Sequence, residues 1–191
     1  MNIPVITSEG LVYARPDTSW NRRSEDIYVQ PRFDSVGFTP AIFAHCSLAG
    51  KAIAERFASR YYDALGYGIL LYMHPFEGAA AFAASACLDG TSVLPEISEF
   101  ERNALSGEHF GISLHRQDGT GIKLFSFSAP DREEIHRKIA QISSSCLVRR
   151  GDLLCMEAEP EKILCLRGDG SCRITLKGEK RSLIDLNIIF A

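Results

Sequence analysis

Gly50-Lys-Ala-Ile-Ala-Glu-Arg-Phe-Ala-Ser-Arg-Tyr-Tyr-Asp-Ala-Leu-Gly66, followed by Tyr67-Gly-Ile-Leu-Leu-Tyr72, is the stretch around which the chain is organised. Ile53, Phe57, Tyr61 and Leu65 recur at i, i+4 with Ala54 and Ala58 beside them, the spacing of one helical face. Lys51, Glu55, Arg56, Ser59, Arg60 and Asp63 fall on the opposite face. Gly66 suits the left-handed turn that closes a helix. This pattern predicts a helix over 51–65. The period then changes: Ile69-Leu70-Leu71-Tyr72-Met73 is a continuous apolar run stopped by Pro75, which reads as a strand buried on both faces. A helix feeding a central strand is the expected core unit.

Upstream, residues 1–37 read as strands and turns. Val12-Tyr13-Ala14 runs into the turn chemistry of Arg15-Pro16-Asp17-Thr18, Ile27-Tyr28-Val29 is a short strand before Pro31, and Ala41-Ile42-Phe43-Ala44 is another apolar run. Downstream, the small residues of 79–87 fit either a helix or a strand in close contact with a neighbour. Glu96 to Leu105 reads as a turn or two of helix.

The second half of the chain is mostly β. Phe110, Ile112 and Leu114 alternate with polar or small residues, Asp118-Gly119 signals a hairpin, and Ile122–Phe127 is the return strand. Ser128 to Asp131 looks like a helix start, with Ser128 as the capping hydroxyl. Ile135, Ile139 and Ile142 mark the buried face of that helix. Leu153–Cys155, Ile163–Leu166, Cys172–Leu176 and Leu183–Phe190 are four further strands, separated by Gly-Asp or Gly-Glu turns. Many strands with two or three helices predict an α+β fold, in one domain over 1–191.

Composition excludes several function classes. The net charge of −3 gives no basis for binding nucleic acid or an anionic membrane, and no apolar run is long enough to span a bilayer. The N-terminus lacks the pattern of an export signal, so a cytoplasmic protein is expected. Cys46, Cys87, Cys146, Cys155, Cys165 and Cys172 include no Cys-x-x-Cys pair, which argues against a zinc site and for reduced, mostly buried thiols. Arg150-Gly-Asp152 and Arg167-Gly-Asp169 spell the triplet read by cell-surface receptors, but Gly-Asp is ordinary turn chemistry. Met156 to Glu161 reads as a solvated acidic turn.

Several of these pieces, in this order, resemble the fumarylacetoacetate hydrolase superfamily. Lys51 to Asp63 looks like that family's segment before its central strand, with Gly68-Ile69 where the family has a Gly-Ile leading to an Asp. Val12-Tyr-Ala-Arg-Pro-Asp-Thr-Ser19 is similar to its strand ending in Lys-Pro. Leu88-Asp89-Gly90-Thr91 resembles its Phe-Asp turn, and His115 to Gly119 its Asn-Gly hairpin. The helix at 131–142 matches the one that follows. Val148-x-x-Gly151-Asp152-Leu153 and Leu166-Arg-Gly168-Asp169 look like its two Gly-Asp turns. The resemblance spans about residues 12–180. It implies a mixed β-sandwich roll, a homodimer, and metal-assisted cleavage, isomerisation or decarboxylation of oxo-acids with Mg, Mn or Ca.

The resemblance also implies losses. The family's Glu-x-Glu falls at Thr39-Pro40-Ala41 and its Asp at Leu70, so all three metal-binding carboxylates are missing. Its Arg-Asp is His74-Pro75, its Lys is Ala86, and its Thr-Gly-Thr is Met156-Glu157-Ala158. No cofactor is therefore expected. Asp89, Arg15 and His74 are the candidate ligand-binding residues: a turn Asp at a family position, a cation where the family has Lys, and a base beside Pro75. The expected function is that of a pseudoenzyme, or a strongly diverged relative: an oxo-acid-binding or dimeric interaction module. The alternative is a hydrolase, isomerase or decarboxylase of oxo-acids whose divalent metal is relocated or absent.

Overall fold

Two long strands, β5 (Ser35–Cys46) and β6 (Tyr62–His74), pair antiparallel along almost their whole length, from Ser35 opposite His74 to Cys46 opposite Tyr62. Everything else is arranged around this hairpin. The structure is a computed structural model. It describes residues 1–74, 81–96, 109–128, 131–179 and 181–191. The segment expected over Glu96 to Leu105 lies outside the described residues from 97 onward, as do 79–80 of the small-residue stretch and the Ala129-Pro130 pair.

The remaining strands are β1 (Asn2–Ile6), β2 (Val12–Pro16), β3 (Trp20–Asn21), β4 (Ile27–Val29), β7 (Ser92–Val93), β8 (Phe110–Arg116), β9 (Gly121–Phe127), β10 (Leu153–Glu157), β11 (Lys162–Leu166), β12 (Cys172–Lys177) and β13 (Ser182–Phe190). Two α-helices are described, α1 (Ala81–Ala86) and α2 (Arg132–Ser145). One sheet has the order β2-β1-β10-β5-β6-β7-β3, with β11 also pairing β5; the other has the order β4-β13-β12-β8-β9. The second sheet is antiparallel apart from the parallel β13–β4 pair. This is the α+β sandwich that the alternating patterns predict.

Alternation along β5 and β6 sorts their side chains. Val36, Phe38, Ile69, Leu71 and Met73 point into the main core, against Ile112, Ile174, Leu176 and Ile188 of the other sheet. Farther along the same face, Ala44 and Cys46 meet Ile135, Ile139 and Ile142 of α2. That helix starts on Asp131, whose carboxylate accepts from the Glu133 amide at 2.9 Å, rather than on Ser128. The opposite face carries Ala41, Phe43, Leu70 and Tyr72, packed with Ile3, Val5, Leu94, Leu153 and Cys155. Tyr13 of β2 and Trp20 of β3 pack on this same cluster, although they come from opposite ends of the strand order. Only a sheet curled on itself brings them together.

The helix expected over 51–65 does not form. Only Glu55–Arg60 winds, as a 3-10 turn, and Tyr62 already belongs to β6. Leu65 and Ala64 pair with Ala44 and His45, so the hairpin ladder claims residues that the i, i+4 spacing assigned to a helix. Phe57, placed on the presumed buried face, is 39% exposed. Gly66 lies inside β6 opposite Phe43 and caps nothing. Gly68 is glycine for contact: a Cβ there would come within 2.5 Å of Leu94 Cδ2 and 2.8 Å of the Val93 carbonyl.

Neither Arg-Gly-Asp triplet is presented. Asp152 is buried and accepts from the amides of Asn2 and Arg149, each at 2.8 Å. Arg167 donates to the carbonyls of Gln30, Phe33 and Ala191. No helix among the described residues is long and apolar enough to cross a membrane.

Candidate functional site

Tyr72 is the centre of a buried polar chain. Leu70, Tyr72 and His74 share one face of β6, opposite Thr39, Gly37 and Ser35 of β5. Glu157, at the end of β10 and paired with Ala41, adds a carboxylate to that face. Tyr13 and Arg15 reach it from β2. In a flat sheet β2 would lie four strands away from β6, roughly 19 Å at the usual strand spacing. The curl brings the Tyr13 and Tyr72 hydroxyls to 2.7 Å.

The donors run in one direction. Arg15 Nε donates to the Tyr13 oxygen at 3.2 Å, Tyr13 to Tyr72 at 2.7 Å, and Tyr72 to Glu157 Oε1 at 2.5 Å. The Ser8 amide donates to Glu157 Oε2 at 3.4 Å. Arg15, 0% exposed, spends its other donors on the Leu71 and Thr91 carbonyls and the Thr91 hydroxyl, at 3.2–3.3 Å. Its guanidinium carbon lies 4.5 Å from the centre of the Tyr72 ring.

Burial pushes the Tyr72 phenol far above its ordinary range, and Arg15 offsets only part of that, so Tyr72 remains a neutral donor. Burial likewise raises the Glu157 carboxyl, against the lowering effects of the Tyr72 hydroxyl, the Ser8 amide and Arg15. Glu157 is 4% exposed, which corrects the solvated reading for Met156 and Glu157, while residues 158–161 lie at the surface. Its burial comes from β1 pairing beside β10 and β2 folding over it.

A pH test follows. A carboxyl raised in the folded state binds its proton more tightly there than in the unfolded chain. Its contribution is fully present below the unfolded value, near 4.5, and is lost as pH rises through the folded value. Wild type should therefore lose stability relative to Glu157→Gln as pH is raised from about 4.5 towards 8. Urea unfolding of both proteins across that range reads the difference. A flat difference would mean that Glu157 is solvated.

At the end of the same face, His74 Nε2 lies 2.7 Å from Glu161 Oε1, and each side chain is about one-third exposed. The Glu161 carboxyl rests over Gly37, where a Cβ would collide with it. Glu161 stands near enough to Glu157 to add to the rise of its carboxyl. With Nε2–H donating to Glu161, His74 Nδ1 is the ring's proton acceptor.

Of the three residues expected to bind a ligand, Arg15 and His74 therefore flank Tyr72, the first sealed and the second accessible. Asp89 is elsewhere. It is exposed and lines a separate cavity of about 540 Å³ with Tyr28, Phe33 and Met73, on the other side of β6. Sequence reasoning assigned no site role to Tyr13, Tyr72, Glu157 or Glu161; Glu157 entered only within Met156-Glu157-Ala158, where the resemblance puts the family's Thr-Gly-Thr, and with Glu161 in the acidic turn. An acid continuing the buried run Leu153–Met156 was the one local signal for Glu157.

No family model matches the sequence, and no curated protein matches it either. Solved structures do. A fumarylpyruvate hydrolase from Pseudomonas aeruginosa, solved with Mn2+ and pyruvate, superposes with a TM-score of 0.71 at 10% identity, covering 100% of this chain and 90% of that one. A 5-carboxymethyl-2-hydroxymuconate delta-isomerase from Mycobacterium smegmatis gives 0.70 at 11% identity, covering 98% and 79%. The chain has the fumarylacetoacetate hydrolase fold. At these identities the likeness is one of architecture, and function must be argued from the site.

A divalent ion such as the Mn2+ of the Pseudomonas aeruginosa structure does not fit Thr39, Ala41 and Leu70, the positions where the resemblance implies metal ligands. All three are buried; the Thr39 hydroxyl donates to the Glu159 carbonyl at 2.6 Å, and Ala41 and Leu70 pack among apolar side chains. A hard cation needs several oxygen ligands, and these three side chains offer one hydroxyl already in use. Among the described residues no cluster of three or more His, Cys, Asp or Glu is arranged to hold a metal ion.

Proposed function

We propose that this chain acts on small oxo-acids as a hydrolase, isomerase or decarboxylase, without the fold's cation at Thr39, Ala41 and Leu70. The observation that carries this is the accessible His74–Glu161 pair at 2.7 Å, on the same sheet face as Tyr72 and Glu157. The enzymatic names of the fold's relatives support the same reading. His74 Nδ1 takes a proton from a water, or from the carbon next to the substrate's ketone, and Glu161 holds the ring and stabilises the imidazolium. A homodimer, implied by resemblance, belongs to this proposal and is read by light scattering.

Turnover of an acylpyruvate and of oxaloacetate tests it. Wild type should exceed background, with the rate unchanged by chelator. His74→Gln should lower kcat about 100-fold or more, the usual contribution of a positioned acid–base group. Glu161→Gln should lower it less. Wild-type turnover that His74→Gln leaves intact would remove His74 from the chemistry.

The second reading is the non-catalytic module. The observation in its favour is that Arg15 Nε and the Tyr13 and Tyr72 hydroxyls donate to one another and to Glu157, and the other Arg15 donors turn to the Leu71 and Thr91 backbone. Binding of a 2-oxo acid, or dimer formation, with no turnover by any preparation would establish it over the first.

A further inference from the structure

The loop that carries Glu161 interrupts a ladder. β10 and β11 follow one another along the same edge of β5, with Glu157 paired to Ala41 and Lys162 to Phe38. Two residues of β5, Thr39 and Pro40, separate those pairings, whereas the chain opposite spends four, 158–161. Pro40 has no N–H to offer the passing loop, and its carbonyl accepts from the Ala158 amide at 2.9 Å. Thr39, 0% exposed, holds the next residue: its hydroxyl donates to the Glu159 carbonyl at 2.6 Å, and the Glu159 carboxylate is paired with Lys162. Glu161 then lies down on Gly37. Its Oε1, the oxygen 2.7 Å from His74 Nε2, fills the space that a Cβ at 37 would need, and its Cδ and Cγ would be 2.9 and 3.1 Å from that Cβ. The φ of Gly37 is not positive, so the backbone does not require glycine there. What requires it is the carboxylate.

We propose that Gly37 and Thr39 are positioning residues for the His74–Glu161 pair: Gly37 leaves the seat for the carboxylate, and Thr39 anchors the loop that delivers it. The proposal rests on the reading of that pair as the acid–base group. Neither residue touches a substrate. A glutamate on a surface loop has several rotamers to lose and water to compete with, so an unsupported pairing with histidine is weak. Here the loop is tied at Ala158 and Glu159, and its next strand starts at Lys162. The carboxylate between those ties rests in a notch one methyl group deep, beside the ring it must hold. A base whose orientation is fixed by its neighbours is what proton abstraction in one geometry needs. Thr39, one of the positions where the resemblance implies a metal ligand, serves in this way an arrangement built without a cation.

The ring 15N signals of His74, assigned with His74→Gln, report its bond to Glu161 whether or not the protein turns over a substrate. In Gly37→Ala they should match those of Glu161→Gln and differ from wild type. The urea midpoint should stay near wild type, because the end of a flexible side chain yields to the new methyl group. With oxaloacetate, Gly37→Ala should lower kcat by the same factor as Glu161→Gln, and the two pH–rate profiles should overlay. The double variant should be no slower than either single one, since both remove the same contact. Thr39→Val removes the hydroxyl that holds Glu159. Its His74 signals should move in the same direction, and it carries the test if Gly37→Ala does not fold. Wild-type ring signals in Gly37→Ala, or losses that add in the double variant, would overturn the role of Gly37. Wild-type signals in Thr39→Val would overturn that of Thr39. If the ring signals respond as expected while no preparation turns over an oxo-acid, the positioning stands and the acid–base reading of the pair fails.

Discussion

Leu70→Asp destabilises the protein by about 4 kcal/mol or more, the combined effect of losing a buried leucine and burying a carboxyl without partners. Leu70 is 0% exposed, in the middle of β6, between Thr39 of β5 and Ser92 of β7. Neither neighbour offers a free donor: the Thr39 hydroxyl serves the Glu159 carbonyl, and the Ser92 hydroxyl is 2.9 Å from that of Ser19. Phe43, Tyr72, Leu94 and Cys155 make the rest of its cluster apolar. The new carboxyl would titrate upward rather than ionise. Urea midpoints measure the loss, repeated with millimolar magnesium. Magnesium should restore nothing, because Thr39 and Ala41 add no carboxylates to the new one. A loss below about 1 kcal/mol would show that the position faces a wet cavity, and a magnesium-dependent recovery would return this face to metal chemistry.

This result also bears on how the fold could be read from the chain. β8 to β13 and α2 were legible because each carries one clean period bounded by turn chemistry. Ile135, Ile139 and Ile142 form the buried stripe of α2, and Asp118 closes its hairpin by accepting from the Thr120 amide. Residues 51–65 were not legible for the same reason in reverse. Four apolar side chains at i, i+4 satisfy a helix, but Tyr62 to Leu65 also satisfy a long antiparallel ladder, and the ladder's partner is set by β5. Local spacing cannot weigh that bond. The resemblance rested on residues 51–63 as its strongest match together with the order of turns and strands; the superfamily fold is seen although that segment forms a 3-10 turn and the start of β6 rather than a helix.

The site was legible only in its ends. Arg15 and His74 were picked out, yet nothing local indicated that Tyr13 would touch Tyr72, or that Glu157 would be buried beneath them. Those contacts depend on the parallel pairing of β1 with β10 and on the curl that carries β2 over β6. They are products of topology between segments far apart in sequence. The resemblance implied metal ligands at Thr39, Ala41 and Leu70, a statement about residue types that needs no contact map. The polar chain around Tyr72 could not be read that way.

Arg15 tests whether that chain is structural. Its donors take the Leu71 carbonyl beside the end of the two-residue strand β7, and add to the Thr91 carbonyl, which also accepts from the Leu71 amide at 2.8 Å. Arg15→Met keeps much of the stem's volume and removes every donor. The Leu71 carbonyl then loses both guanidinium donors, the Thr91 carbonyl keeps only the Leu71 amide, and Glu157 loses its cation. The expected loss is about 3–5 kcal/mol, as for breaking a buried charged network. Arg15→Lys should fall between wild type and methionine, since an ammonium keeps the charge but cannot spread it over carbonyls and hydroxyl in the guanidinium's planar fork. Adding Glu157→Gln to Arg15→Met should recover about 1–2 kcal/mol of the loss, because the two charges are coupled through the tyrosines. Urea unfolding of the four proteins at neutral pH gives all three numbers. If Arg15→Met instead unfolds within about 1 kcal/mol of wild type while losing affinity for a 2-oxo acid, the network contributes little to stability, and Arg15 is a ligand-binding cation.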